Sequence, residues 1–510
     1  MNAAVRVPDA APVLSIASAT GVDARLVIAG PGARSLAFVL DWMIRTALAS
    51  IYLLLASKIL LGNFRFDIGP DDETTWYLAG AMPATAIYFL YHLILEPLMA
   101  GRTPGKRLAG LRVLTPEGQV PTVGALITRN IFRIIDSMPL FYVVGLLFVF
   151  FGRQHLRLGD LAAGTVLTIE RAPFLEKLAA LAKRTGLPVN DAANDWREAR
   201  QRASALSRRR GSDVNDALAA VEDYRRAAHA VNRTRVSTDP AAAASTEYLE
   251  AVYTDLHDTI HRPARRIGLV LLSLMRDRVP AAMYAMRVHL LSVVLLFITS
   301  AVTGAWLIYT YPDLIALFAG PQLIATVERG ELWTDGLLNV TPSAVLSVSI
   351  LTNNIVVSFF AFCSGIVFGL GTFYIIGMNG LSLGAFFAFT GQHGLADRLF
   401  DFVIAHGCVE LSCICIAGAA GAYIGEALVR PGARTRAEAF RDAAGPSIRI
   451  MAAVTLLLLI CGFIEGYVSP DPEVPRWARV TIGVGYWLFM ISLLRGHVFG
   501  RSRGGAPVPV

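Results

Sequence analysis

Charge is what this sequence has least of. Only 17% of its 510 residues are Asp, Glu, Lys or Arg, whereas soluble domains carry about 25%. That shortage excludes an ordinary soluble globular protein. Cysteine is scarce as well. The five cysteines, Cys363, Cys408, Cys413, Cys415 and Cys461, all lie in apolar stretches, where a thiol serves as a small packing residue. A disulfide framework is therefore not expected. Cys413-Ile414-Cys415 lacks a zinc spacing, and no second Cys or His pair completes it. There is no Ser/His/Asp arrangement, no H-E-x-x-H, no P-loop and no G-x-G-x-x-G after a strand. An enzyme is not expected, nor a cofactor or a metal centre. The first 33 residues lack the short apolar core of a cleavable signal, so the first membrane helix is expected to act as the insertion signal. The net charge is +7, but no basic stripe interleaved with aromatics accompanies it, which argues against nucleic acid.

Apolar length is what the sequence has in abundance. Hydrophobic residues make up 54% of the chain. They gather into runs of roughly 20 residues, each long enough to cross about 30 Å of hydrocarbon. Crossings are expected near 35–61, 76–99, 289–311, twice within 344–394, and at 401–428, 448–468 and 477–494. Basic loops at Arg102–Arg112 and Arg430–Arg449 place those segments and both termini in the cytoplasm, and the acidic loop Asp67–Glu73 outside. Residues 122–152 have basic residues on both flanks. They read as a bent helical pair, interfacial then re-entrant, broken at Pro139; a single tilted crossing is the rival. The runs 13–19 and 24–30 read as a short hairpin. Residues 172–285 show helical periodicity and a basic excess, the pattern of a soluble helical insert. The expected fold is an all-α polytopic membrane protein: about eight transmembrane helices, a re-entrant pair, a helical cytoplasmic insert and a few short cytoplasmic β-strands.

Polar residues inside the apolar block 344–428 are the candidates for chemistry. His406 and Glu410 are four apart on one helical face, close enough to interact. They read either as a proton relay or cation site, or as a polar clasp that ties helices together. Asn353, Asn354 and Asn379 are possible partners, and Glu465 is a further candidate for the same cavity. The Asn379-Gly380 dipeptide, or alternatively Gly369–Thr372, is expected to turn the chain between two crossings. Gly365-xxx-Gly369 and the small residues of 417–425 fit close helix packing; a broken helix that exposes carbonyls to an ion is the sharper alternative. Arg34, Asp41, Glu96 and Asp160 form a candidate ion-pair network at the cytoplasmic face. His257 and His261 are four apart, a spacing that allows a shared metal, but no third ligand accompanies them, and two surface histidines is the plainer reading.

Two resemblances cover nearly the whole chain. Residues about 12–171 resemble the RDD family of bacterial membrane proteins. The match rests on Gly32-Ala33-Arg34-Ser35-Leu36-Ala37 leading to Asp41, on Glu96, on Gly101-Arg102-Thr103-Pro104-Gly105-Lys106, and on Arg157-Leu158-Gly159-Asp160-Leu161-Ala162-Ala163-Gly164-Thr165. The family's arginine and two aspartates would be Arg34, Asp41 and Asp160. Residues about 172–495 resemble the stage II sporulation protein M family through Asn353-Asn354, Gly369-Leu370-Gly371-Thr372, Asn379-Gly380, Leu383-Gly384, His406-Gly407 with Glu410, Pro431-Gly432 and Glu465-Gly466. Trp196, Tyr224-Arg225 and Tyr248-Leu249 resemble the soluble leader of non-sporulating members.

The implied domains are a hairpin at 1–33, an RDD-like membrane domain at 34–171, a soluble helical cytoplasmic domain at 172–287, a sporulation-M-like membrane domain at 288–495 and a tail at 496–510. The resemblance implies a bacterial inner-membrane scaffold of the cell envelope, working with a MoxR-type AAA+ ATPase and von Willebrand A-domain proteins. The homo-oligomer is an open expectation. The alternative is a secondary transporter, exchanging cations for protons or moving a small solute, with His406 and Glu410 at its site.

Overall fold

In the computed structural model the described residues are 13–16, 24–62, 73–136, 156–169, 214–236, 274–332, 343–471 and 473–498, with a few single residues between 198 and 256. The chain divides into two compact units. The first holds residues 1–55 and 83–265, the second 56–82 and 266–510.

Seven helices are long and apolar enough to span a membrane: α1 (Pro31–Leu61), α2 (Tyr77–Leu98), α7 (Arg287–Thr310), α9 (Leu370–Gln392), α11 (Gly407–Val429), α12 (Arg436–Tyr467) and α13 (Arg476–Leu494). The 21-residue helix α8 (Ser343–Cys363) is not among those seven and lies where a further crossing is expected. Together these helices make the protein an all-α, multi-pass membrane protein. Helices prevail because lipid leaves the backbone no hydrogen-bond partner outside its own segment.

In the first unit, β1 (Val13–Ile16) pairs antiparallel with β2 (Ala24–Val27). The short helix α3 (Pro104–Leu108) leads into β3 (Leu111–Leu114), which pairs with β4 (Val166–Ile169). A bridge from Ile28 to Thr168, and the Ala29 amide on the Leu167 carbonyl at 2.8 Å, join the two hairpins. Ala29, Ala37, Leu111, Val113, Leu126 and Leu167 form the small core beneath. Helix α4 (Val123–Ile131) is capped by Thr122, and α5 (Leu158–Ala163) ends at Gly164 in the left-handed conformation. Of the bent pair expected at 122–152, residues 123–136 are helical with a break at Phe132; Pro139 lies outside the described residues. Of the insert, α6 (Val214–Val236) is described, and the Tyr224 ring stacks on Tyr253 at 4.8 Å. His257 and His261 lie outside the described residues.

The second unit is built around α11. Its run Ala417–Gly421 is buried on every side, while α7 and α13 present most of their surface outward. Apolar residues of α7, α8, α9 and α11 meet at Val293, Phe297, Ala361, Ile376, Ile414 and Ala422. Close backbone approach replaces side-chain interdigitation in two seams. A Cβ on Gly384 would collide with the Ala301 carbonyl of α7, and one on Gly421 would lie 2.6 Å from the Ala361 carbonyl of α8. Thr372 braces the second seam by donating to that same carbonyl at 2.6 Å. Such contacts between small residues are how helices associate where lipid removes the hydrophobic driving force.

Two expectations are corrected. Of the two turns expected between α8 and α9, the one at Asn379-Gly380 lies inside an unbroken helix, and of Gly369–Thr372 only Gly369 belongs to the turn. It is made by the 3-10 turn Ser364–Ile366, with Phe368 at φ 52° and Gly369 at φ 82°. The Asn-Gly signal fails because Gly380 serves the packing: its missing Cβ admits the Phe297 carbonyl of α7. Likewise the basic segment Arg430–Arg449 is mostly helix. α12 begins at Arg436, where Thr435 and Glu438 form a reciprocal capping box. Pro446 then sits inside the helix, so the connecting turn is short.

The α7–α9 seam gives a matched test on one helix. Gly384→Ala drives a methyl into backbone and should lower stability by about 1–3 kcal/mol. Gly377→Ala should be tolerated, because its nearest neighbour, Ser300 Oγ, is 3.6 Å away. Thermal unfolding of the two variants in detergent reads the difference.

Candidate functional site

Two buried polar clusters exist among the described residues, one in each unit. The first is assembled by the ends of helices. Helix α2 ends at Glu96-Pro97-Leu98, and the chain reverses through Ala100 and Gly101, both at positive φ. The Gly101 amide donates to the Glu96 carbonyl at 2.8 Å, and a Cβ there would meet the Val113 carbonyl at 2.6 Å. This reversal aims Thr103, Gly105 and Lys106 back at α1 and α2.

Arg129 of α4 is the hub. Its Nη1 donates to Glu96 Oε1 at 2.5 Å and its Nε to Asp160 Oδ1 at 2.6 Å. Lys106 Nζ donates to Glu96 Oε2 at 2.7 Å, and Asn130 Nδ2 donates to the same oxygen at 3.2 Å. Arg34 Nη1 donates to Asp160 Oδ2 at 2.9 Å, while its Nε holds the Ala29 carbonyl. The Arg157 amide also donates to Asp160 Oδ2, at 3.1 Å, as the cap of α5. Glu96 and Asp160 are fully buried. Burial alone would raise the Asp160 carboxyl, but Arg129, Arg34 and Arg157 together hold it well below the usual carboxylate range. Burial pulls the Lys106 amine down to about 8 against the opposing pull of Glu96.

Asp41 does not join this network. Its oxygens are filled by neutral donors: Tyr91 Oη at 2.9 Å, Thr103 Oγ1 at 2.6 Å and the Gly105 amide at 2.8 Å. A Cβ on Gly105 would lie 2.6 Å from the Asp41 amide nitrogen, so only glycine fits. The expected four-residue network of Arg34, Asp41, Glu96 and Asp160 is thus corrected to Arg34, Glu96 and Asp160 joined through Arg129, with Asp41 as a separate clamp on the Thr103–Gly105 turn.

The second cluster lies in the second unit, where α11 begins and α12 ends. His406 precedes α11, Glu410 is in its first turn, and Glu465 is in the last turn of α12. His406 Nε2 is 3.8 Å from Glu410 Oε2 and 3.5 Å from Glu465 Oε1. The three possible ligand atoms all lie within 4.8 Å of one another. His406 Nδ1 pairs with Ser469 Oγ at 2.8 Å, and the Cys461 thiol donates to the His406 carbonyl at 3.4 Å. Asn354 hydrogen-bonds the Glu410 side chain. Asn353 is exposed and reaches only Asn354, at 3.5 Å. Asn379 donates to Ile375 within its own helix and takes no part. The structure therefore brings together His406, Glu410, Glu465 and Asn354, and leaves Asn353 and Asn379 aside.

The comparisons match this division. The RDD family model covers residues 28–164, and the Stage II sporulation protein M model covers residues 293–470. The chain thus carries a segment similar to the RDD family followed by one similar to Stage II sporulation protein M, in that order. Searches of curated proteins and of solved structures gave no match.

In the RDD module the sequence pointed to Arg34, Glu96 and Asp160 but missed Arg129, Asn130 and Thr103. Arg129 and Lys106 were legible only as loop charges that set topology. A signal for their burial was present: a carboxylate at a helix end, as at Glu96, requires a cation brought by a distant segment. In the sporulation-M module, the contact of Ser469 with His406 spans 63 positions, which no sequence spacing reveals.

Two outcomes follow for the RDD module. Arg129→Met strands Glu96 and Asp160 and should cost about 3–5 kcal/mol, read as a lowered unfolding midpoint in detergent. The Asp160 carboxyl is held lower in the folded than in the unfolded chain. Its contribution is therefore present at neutral pH and lost as pH falls below the ordinary carboxylate range. Acid titration of stability should show this slope in the wild type, and Asp160→Asn should flatten it.

Proposed function

We propose that the protein is a non-enzymatic scaffold of the bacterial inner membrane, an assembly platform of the cell envelope with both termini in the cytoplasm. The observation that carries this reading is the continuity and packing of the central helices. Transporters commonly bind their cargo where helices break near the midplane. Here the Asn379-Gly380 and Gly384 positions lie inside one unbroken helix, and the glycines are used for backbone contact with α7. A bundle locked through backbone contacts is suited to holding partners in register and poorly suited to rocking between two packings.

The partners follow from the family resemblance: a MoxR-type AAA+ ATPase and von Willebrand A-domain proteins of the envelope. The helical insert, which includes α6, is the surface offered to the ATPase on the cytoplasmic side. Crosslinking in cells followed by mass spectrometry tests this. The reading expects an ATPase of that class crosslinked to residues 214–236; a protein recovered with lipid alone, and no envelope defect on deletion, would remove it.

A second reading, cation/proton exchange, is favoured by one observation: the cluster of buried His406 and Glu465 with half-buried Glu410. Flux into proteoliposomes separates the two. The scaffold reading expects no flux above empty vesicles, whereas wild-type flux abolished in Glu410→Gln would establish the exchanger.

A further inference from the structure

We infer that His406, Glu410 and Glu465 form a binding site for one divalent transition-metal ion of the zinc or manganese class. The inference is independent of the scaffold reading. It begins with a charge imbalance. Two carboxylates and one imidazole converge, and among the described residues no Lys or Arg pairs with either carboxylate. The helix ends treat the two acids differently. Glu410 sits in the first turn of α11, where the helix dipole favours an anion. Glu465 sits in the last turn of α12, where the dipole opposes one. A second carboxylate beside the first, at the negative end of a helix, needs a cation from elsewhere.

The distances point the same way. At 3.5 and 3.8 Å the imidazole Nε2 stands outside good hydrogen-bond range of both carboxylates. Two ligands bound at about 2.0–2.2 Å to one tetrahedral ion are separated by about 3.3–3.6 Å. The His406–Glu465 distance falls in that range, and the remaining ligand atoms, all within 4.8 Å of one another, need only small side-chain shifts to close on a shared ion.

Orientation is already supplied. Ser469 Oγ engages His406 Nδ1 at 2.8 Å. When Nδ1–H donates to this oxygen, Nε2 carries a lone pair turned toward two carboxylates, the arrangement of three ligands around a cation. Outer hydrogen bonds of this kind fix the tautomer and direction of a metal-bound imidazole. The Phe402 ring packs edge-on against His406 with centroids 5.7 Å apart. A Cβ on Gly483 of α13 would collide with the Ile404 carbonyl, so α13 presses directly on the backbone leading into His406. Three protein ligands leave one position of a tetrahedron open for water or a partner's side chain. The imidazole selects against magnesium and calcium, which take oxygen ligands.

The site lies at the ends of α11 and α12 remote from the basic turn Arg430–Thr435. If that turn is cytoplasmic, the ion is taken up from the outer face of the membrane.

The test uses full-length protein in detergent, stripped with chelator and titrated with Zn2+, with Mn2+ and Mg2+ as comparisons. Bound metal is counted by mass spectrometry after desalting. The wild type should retain about one Zn2+ per chain, take Mn2+ more weakly and ignore Mg2+. Its unfolding midpoint should rise with Zn2+. Glu465→Gln should weaken Zn2+ at least tenfold and lose the thermal response. Ser469→Ala keeps all three ligands and should weaken Zn2+ by about 10-fold, which keeps the inference testable if a ligand variant fails to fold. A stripped wild type that binds neither Zn2+ nor Mn2+ would overturn the inference. So would Glu465→Gln or Ser469→Ala binding as tightly as the wild type.

Discussion

A carboxylate buried away from water needs an opposite charge or a full set of hydrogen-bond donors, and both halves of this protein are arranged around that demand. In the RDD module the answer is internal. Arg129 spans Glu96 and Asp160, with Lys106 and Arg34 completing the second contact of each carboxylate. Removing one partner leaves a buried carboxylate with only part of its compensation, which is more costly than never having built the pair. The network therefore fixes how α1, α2, α4, α5 and the Thr103 turn come together, whatever its net contribution to stability. In the sporulation-M module, among the described residues no Lys or Arg stands beside Glu410 and Glu465, and the balance passes to an ion from solution.

The second constraint is steric. Without a hydrophobic drive between helices in lipid, α11 sits at the centre because its side chains are small enough for neighbouring backbones to touch. The glycines at 384 and 421 are occupied by carbonyls of other helices. Conformational change through these seams requires separating backbones that are already in contact. That is the physical basis for reading the bundle as a fixed platform, and for placing adjustable chemistry at its end, where α11 and α12 meet the Ser469 loop.

Much of this was legible in the sequence, and the errors have causes. Apolar length located every described span, since the thickness of hydrocarbon leaves little freedom. The hairpin at 13–27 followed from two apolar runs and a turn. Spacing alone paired His406 with Glu410, because four residues on a helix form one face. Glu465, more than fifty positions away, was named only as a weaker neighbour, and Ser469 was invisible, because sequence separation carries no distance information between helices. Local rules misled where tertiary packing outweighed them. Asn379-Gly380 has turn chemistry, yet Gly380 is needed inside α9 so that α7 can approach. Thr435 and Glu438 carried a helix-start signal that the surrounding basic residues obscured. Asp41 was grouped with the ions by charge, although its partners are a tyrosine, a threonine and a backbone amide.

The claim that a bound cation balances Glu410 and Glu465 is tested most directly by anomalous diffraction at the zinc edge from zinc-loaded crystals. The account predicts one strong peak, within about 2.0–2.2 Å of His406 Nε2, Glu410 and Glu465. A map without a peak there, with His406 Nε2 instead hydrogen-bonded to a carboxylate at about 2.8 Å, would contradict it.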